Sequence, residues 1–257
     1  GDCALALENS RNAREKEEAT LRAENEKLRA TLLRSISHDL RTPLTAISGN
    51  ASILLSDGEE LDAETKRQMY EDIYDDSAWL QNLVENLLAV TKIEEGRMEL
   101  KMQPHLAEKI VSEAMQHISR KASEHHITVE HQNELLLAQC DARLMVQVII
   151  NLVDNAIKYT PVGSHIHVFT KQEDTQAVFG VGDNGPGIPD GEKPRVFQMF
   201  YTGSTAVADS RRSLGLGLSL CKSIVAAHGG EITVSDNQPA GAVFTVSIPA
   251  GEVEVHE

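Results

Sequence analysis

No apolar run in this chain approaches the roughly 18–20 residues needed to cross a bilayer, and no signal-peptide pattern opens it. The first residue is Gly1 rather than Met. We therefore expect a fragment of a longer protein, one that meets a membrane only through a region absent from this chain. Basic charge is scarce, with 24 Lys and Arg against 39 Asp and Glu for a net charge of −15. With no block of Lys and Arg to offset that repulsion, nucleic acid is excluded as a partner. Cysteine is scarce too: Cys3, Cys140 and Cys221 are odd in number and lack metal-type spacing. They fit a reducing cytoplasm and no disulfide framework. The ten histidines are scattered and form no HExxH arrangement, so a metal site built on them is not expected. Aromatics reach only 4%, which suits a chain with much helix, while 41% hydrophobic residues are too many for disorder. At 257 residues there is room for one or two cored units.

Residues 8–34 are nearly free of Gly and Pro, are rich in Glu, Arg, Lys and Ala, and read as continuous helix. Heptad position d falls on Leu7, Leu21 and Leu28, and position a on Asn25 and Leu32. The same frame puts Arg11, Arg14 and Glu18 in the seam, so the coiled coil is weak over its first half. The helix continues through Ser35-Ile36-Ser37-His38-Asp39-Leu40-Arg41-Thr42-Pro43, with Leu28, Leu32, Ile36, Leu40 and Leu44 recurring every fourth residue. At ~100° per residue, His38 lies roughly 160–200° from Ile36 and Leu40 and faces away from that stripe. Arg34, Arg41 and Thr42 share its face. A histidine flanked by two guanidiniums and a hydroxyl can hold a phosphoryl group; taken alone, it is equally a solvated histidine on a charged helix. Pro43 removes a backbone donor and is expected to kink the helix just beyond.

Residues 56–60 read as a turn, and a second helix is expected over 62–93 with Met69, Ile73, Leu80, Leu83, Val84, Leu87 and Leu88 in one stripe. One such hairpin has only a two-helix seam to bury its stripes. Pairing two hairpins into a four-helix bundle is the economical solution, and a homodimer follows. After Glu95-Gly96 the pattern changes. Helix is expected over 104–118, 141–158 and 216–228. Extended segments are expected at 127–130, 135–140, 165–170, 177–181, 231–235 and 242–248. Interleaving of this kind predicts an α/β sandwich with helices on one face of a mixed sheet.

Four stretches of this second half stand out. Asn151, Asn155 and Lys158 share one helix face opposite Val148, Leu152, Val153 and Ala156. Two carboxamides and an ammonium supply what a magnesium-bound triphosphate needs, since an amide oxygen ligates a hard cation; a polar face of this kind is also an ordinary solvated one. Asp183-Asn184-Gly185-Pro186-Gly187 follows a strand. Its glycines permit close backbone approach, and a carboxylate at a strand end accepts from the exocyclic amine of adenine; in isolation the stretch is also a Gly-Pro turn. Phe197 and Phe200 precede a long loop, 202–213, that is either a lid or disordered. Gly215-Leu216-Gly217-Leu218 then opens a helix whose free N–H groups suit a phosphate.

Taken in order, these stretches resemble the five boxes of the sensor histidine kinases of two-component signalling, over about residues 25–250. His38 to Leu44 resembles the H box and Asn151 to Tyr159 the N box. Asp183 to Gly187, Phe197 to Phe200 and Gly215 to Leu218 are similar to the G1, F and G2 boxes. The whole looks most like the potassium-responsive membrane sensor kinases. The resemblance implies an α-helical hairpin forming a dimeric four-helix bundle, followed by an α/β sandwich of the gyrase, Hsp90 and histidine-kinase type. It divides the chain into a signalling coiled-coil helix (1–24), a dimerisation and phosphotransfer hairpin (25–96) and a catalytic ATP-binding domain (97–257). A hinge is expected near Gly96.

The implied roles are equally specific. His38 would accept the γ-phosphoryl group of ATP, Asp39 would orient and deprotonate the imidazole, and Thr42 would place water for dephosphorylating a response regulator. Asn155 would ligate Mg2+, with Asn151 beside it and Lys158 on the phosphates. Tyr159 would lie against the adenine and Asp183 would accept its amine, with Gly185, Gly187, Gly215 and Gly217 completing the nucleotide site. The chain departs from the pattern twice: Thr202 stands where an Arg is usual, and Ser213 where a glycine is. Arg211 and Arg212, at the far end of the lid, are candidates for the missing charge. Two other readings share parts of the pattern: a related ATPase, and a degenerate kinase acting as scaffold or phosphatase.

Overall fold

The computed structural model describes residues 40–94, 100–118, 120–199, 201, 203 and 215–252. The heptad segment, His38, Asp39, Gly96, Phe200, Thr202, Arg211, Arg212 and Ser213 lie outside them. Two compact units meet between Asn82 and Leu83, part-way along one long helix.

The first unit is helical. Helix α1 is described over 40–56 and continues through Pro43, with the Thr45 hydroxyl donating to the Arg41 carbonyl at 2.8 Å. A tight turn follows, and Asp62 opens helix α2, Ala63–Glu94. The Asp62 carboxylate caps that helix by accepting the Thr65 N–H at 2.8 Å and the Thr65 hydroxyl at 2.7 Å. These bonds hold the Asp62 carboxyl below its ordinary range. The apolar stripes are where the sequence places them, but in a single chain they are only partly covered. Leu44, Val84 and Leu88 are 53%, 49% and 54% exposed. Two helices alone cannot enclose side chains that a bundle of four would.

The second unit is an α/β sandwich. A five-stranded sheet runs in the order β2-β4-β5-β7-β6. Its strands are β2 (His126–His131), β4 (His165–Glu173), β5 (Gln176–Asp183), β6 (Glu231–Asp236) and β7 (Ala242–Pro249). β2 and β4 pair in parallel; the other neighbours are antiparallel. β7 alternates buried and half-buried residues along its whole length, the period-2 signature of a sheet with one face on the core. Helix α4 (Ala142–Tyr159) packs between α3 (Ala107–Gln116) and α5 (Gly217–Ala227). Met145, Ile149 and Leu152 of α4 belong to one buried core with Phe179 of β5 and Val246 and Ile248 of β7.

Helix 104–118 begins later than its apolar pattern suggests. Gln103–Leu106 form strand β1, paired antiparallel with β3 (Leu137–Cys140), because Pro104 biases Gln103 toward extended backbone. His228, 2% exposed, locks α5 to α4: Nε2 accepts the Asp141 N–H at 3.0 Å and Nδ1 donates to the Ile224 carbonyl at 2.7 Å. It is a satisfied core histidine, with both ring nitrogens hydrogen-bonded. Cys140 and Cys221 are fully buried, and burial pushes both thiols up to about 12.

Candidate functional site

The second unit holds an open pocket, with about 790 Å3 of space between its walls when the open mouth is included. Its first wall is α4. The Asp141 cap and the buried stripe fix that helix's rotation, and Asn155, Ala156 and Tyr159 then face the pocket. Ala156, expected only in the core, serves both sides. The floor is Asp183, where β5 ends. The residue is 8% exposed, and its Oδ1 accepts the N–H groups of Gly185 at 2.8 Å and Ala242 at 3.4 Å. Among the described residues no hydrogen bond reaches Oδ2, which is left for a ligand donor. Burial raises the Asp183 carboxyl above the usual carboxylate range, and the two backbone bonds oppose that rise without cancelling it.

The loop after Asp183 supplies Pro186, Gly187 and Ile188. Gly187 has φ +73°, and a Cβ there would come within 3.1 Å of the Gly241 carbonyl oxygen, so the backbone approaches the pocket as only glycine allows. The far wall is formed by Glu192, Val196 and Tyr201, backed by Leu218 and Phe244. This segment is tied down by Lys193, whose ammonium bridges Asp190 at 2.6 Å and Asp236 at 2.7 Å. Phe197, of the F-box-like stretch, meets Phe244 edge-on at 6.2 Å.

Of the residues expected in the nucleotide site, Asn155, Tyr159, Asp183 and Gly187 line this pocket; Asn151, Lys158, Gly185, Gly215 and Gly217 do not. Gly185 lies behind Asp183 as one of its donors. Asn151 sits one turn before Asn155, where a Cβ on Gly217 would be 3.7 Å from its Oδ1. Its buried Nδ2 has no hydrogen-bond partner among the described residues. Gly215 has φ +63°, and α5 starts at Gly217 with no side-chain cap, which leaves its first N–H groups free for an anion. The Lys158 ammonium stands 5.5 Å from the Tyr159 ring centroid. Thr42 is exposed on α1, and His38 and Asp39 are outside the described residues. Residue spacing missed Ala242 and Phe244, which reach the pocket because β7 pairs with β5. The signal available was the turn-forming run at 237–241.

Comparison with known proteins agrees with this geometry. The chain matches the His Kinase A (phospho-acceptor) domain over residues 28–96. It matches the histidine kinase-, DNA gyrase B-, and HSP90-like ATPase family over 140–252. It is 43% identical to the sensor protein KdpD of Clostridium acetobutylicum over 97% of this chain and 28% of that protein. It is 35% identical to the sensor protein KdpD of Escherichia coli K12 over 96% of this chain and 27% of that protein. The chain thus spans little more than a quarter of the length of these relatives. Among solved structures, histidine kinase ThkA in complex with the response regulator protein TrrA superposes with a TM-score of 0.61 at 27% identity, covering 91% of this chain and 66% of that one. With a phospho-acceptor domain ahead of an ATPase-type nucleotide domain, the chain belongs to the sensor histidine kinases.

Proposed function

We propose that this chain is an ATP-dependent protein-histidine kinase that phosphorylates its own His38 and passes the phosphoryl group to an aspartate of a response regulator. The observation that carries the reading is Asp183. A nearly buried carboxylate with Oδ1 held by two backbone donors and Oδ2 facing a pocket is built to accept a ligand amine, and adenine has one. Tyr159 gives that base a ring to lie against. The Asn155 carboxamide offers a hard oxygen to Mg2+, which neutralises triphosphate charge when bound. Asn151, Lys158 and the α5 N-terminus take the phosphates. In the chemical step a ring nitrogen of His38 bonds to the γ-phosphorus and the bond to the β-phosphate bridging oxygen breaks. ADP leaves, and the imidazole proton passes to Asp39. Most of the rate comes from positioning and charge stabilisation.

Residues 1–24 act as a signalling helix, 25–96 as the phosphotransfer hairpin and 97–257 as the ATP-binding domain, with the hinge near Gly96. Two hairpins pair into a homodimer, which would cover Leu44, Val84 and Leu88. The solved complex of ThkA with TrrA supports a response regulator as partner, and Thr42 places water for that regulator's dephosphorylation. Labelled γ-phosphate ATP tests the reading. Acid-labile, alkali-stable label on the protein, lost in His38→Gln with nucleotide affinity kept within about twofold, is the expected outcome. Label retained on the variant removes His38 from its role. Free phosphate without label identifies an ATPase, and neither product a scaffold.

A further inference from the structure

The turn between β6 and β7 lies outside every motif that marked the nucleotide site, yet it holds the adenine-recognising carboxylate from two sides. The β5–β7 register ends at the pair Gly182–Val243, one residue short of Asp183. The Asp183 carbonyl takes its donor from a side chain instead: Asn237 Nδ2, at 2.7 Å. Asn237 Oδ1 accepts the Gln238 N–H at 2.9 Å, and the Asn237 N–H donates to the Gly241 carbonyl at 3.0 Å. Both ends of the half-buried carboxamide are therefore used, which fixes its orientation. The same turn delivers the Ala242 N–H to Asp183 Oδ1. Gly241 makes the approach possible: its φ is +112°, and a Cβ there would fall 1.9 Å from the Asp183 carbonyl oxygen.

We infer that Asn237 is a positioning residue for base selectivity: its carboxamide pins the Asp183 backbone to the β6–β7 turn and so fixes the carboxylate that discriminates adenine. Without that donor a half-buried carbonyl loses its partner, and the turn moves away from Asp183. The long Ala242 bond is then the first to fail, leaving Oδ1 held by Gly185 alone. A carboxylate free to rotate no longer aims Oδ2 into the pocket. The inference rests on the reading of Asp183 as the acceptor for the adenine amine.

The test is the ratio of calorimetric affinities for ADP and inosine diphosphate, measured on the full chain with Mg2+. Inosine carries a carbonyl where adenine carries the amine, so its affinity does not depend on that bond. Asn237→Ala is expected to lower the ratio about tenfold while inosine diphosphate binding stays within about twofold. Asn237→Asp, which keeps the acceptor for Gln238 but removes the donor, should lower it as well. Asp183→Asn serves as the reference and should collapse the ratio. Equal weakening of both nucleotides with a lower melting midpoint would mean that Asn237 only supports the fold, and would overturn the proposal. So would loss of selectivity in Asn237→Ala alone, which would assign the effect to turn shape. If Asp183→Asn leaves the ratio unchanged, the adenine reading itself fails and this inference falls with it.

Discussion

The helical hairpin and the α/β sandwich handle apolar surface in opposite ways. Over 40–94, Leu44, Ile53, Leu55, Tyr70, Tyr74, Val84 and Leu88 are 40–89% exposed, and of the described apolar side chains there only Pro43 and Leu83 are buried. The sandwich is more than twice as long, yet among its described large apolar residues only Val129, Leu135 and Val162 reach comparable exposure, and its core runs unbroken from α3 to β7. A sheet with three helices on one face encloses its own core. Two helices cannot, because each has neighbours on only one side. The sandwich thus encloses its own core, whereas the proposed pairing of two hairpins would tie the hairpin's stability to protein concentration.

That contrast breaks most sharply in the core. Leu152→Ala in α4, at a site with no exposed surface, is expected to cost about 2–5 kcal/mol of sandwich stability in denaturant unfolding. Leu88→Ala, more than half exposed in a single chain, should cost little as a monomer, within about 0.5 kcal/mol. Leu88→Asp should halve the mass measured by light scattering; a mass unchanged from the parent would mean that the hairpins do not pair through this stripe. A smaller effect separates the activities of the hairpin. Thr42→Ala should leave His38 labelling intact and slow dephosphorylation of the phosphorylated regulator about tenfold, some 1.4 kcal/mol of barrier. Equal loss of both activities would make Thr42 structural.

The smallest effect lies within the sandwich and depends on pH. Burial raises the folded-state pKa of Asp183 above its unfolded value, so between the two values the native state binds more protons than the unfolded chain. The contribution of this carboxyl to stability is therefore fully present below the unfolded value and is lost as pH rises through the folded one. Asp183→Asn should raise the melting midpoint of the nucleotide-free protein at neutral pH, and the gain should vanish as pH falls toward the unfolded carboxylate range. A gain of the same size across that range would assign it to packing rather than charge.

What the sequence made legible follows from which interactions are local. The face of α4 carrying Asn155 and Tyr159 is set by a 3.6-residue period, and Asp183 is marked by the strand it ends and the glycines behind it. Alternation and turn residues locate the strands of the five-stranded sheet. Pairing order is different: that β7 lies beside β5 depends on contacts across about sixty residues, such as Ala242 to Asp183, and nothing near either residue announces it. Ala242, Phe244 and Asn237 were missed for that reason. The extended start at Gln103 turned on Pro104, whose effect on its predecessor outweighs an amphipathic pattern.

The two deeply buried cysteines give the sandwich a practical property. A thiol held near 12 carries almost no thiolate at neutral pH, and thiolate is the form that reacts with peroxide or maleimide. Cys140 and Cys221 are thereby shielded from oxidants, so the proposed ATP chemistry can be assayed without a background from these two thiols. With Cys3 replaced, a single cysteine introduced at an exposed position such as Val162, 73% accessible, would be the site open to a fluorophore or spin label. Nucleotide-linked motion could then be followed with the native Cys140 and Cys221 left in place.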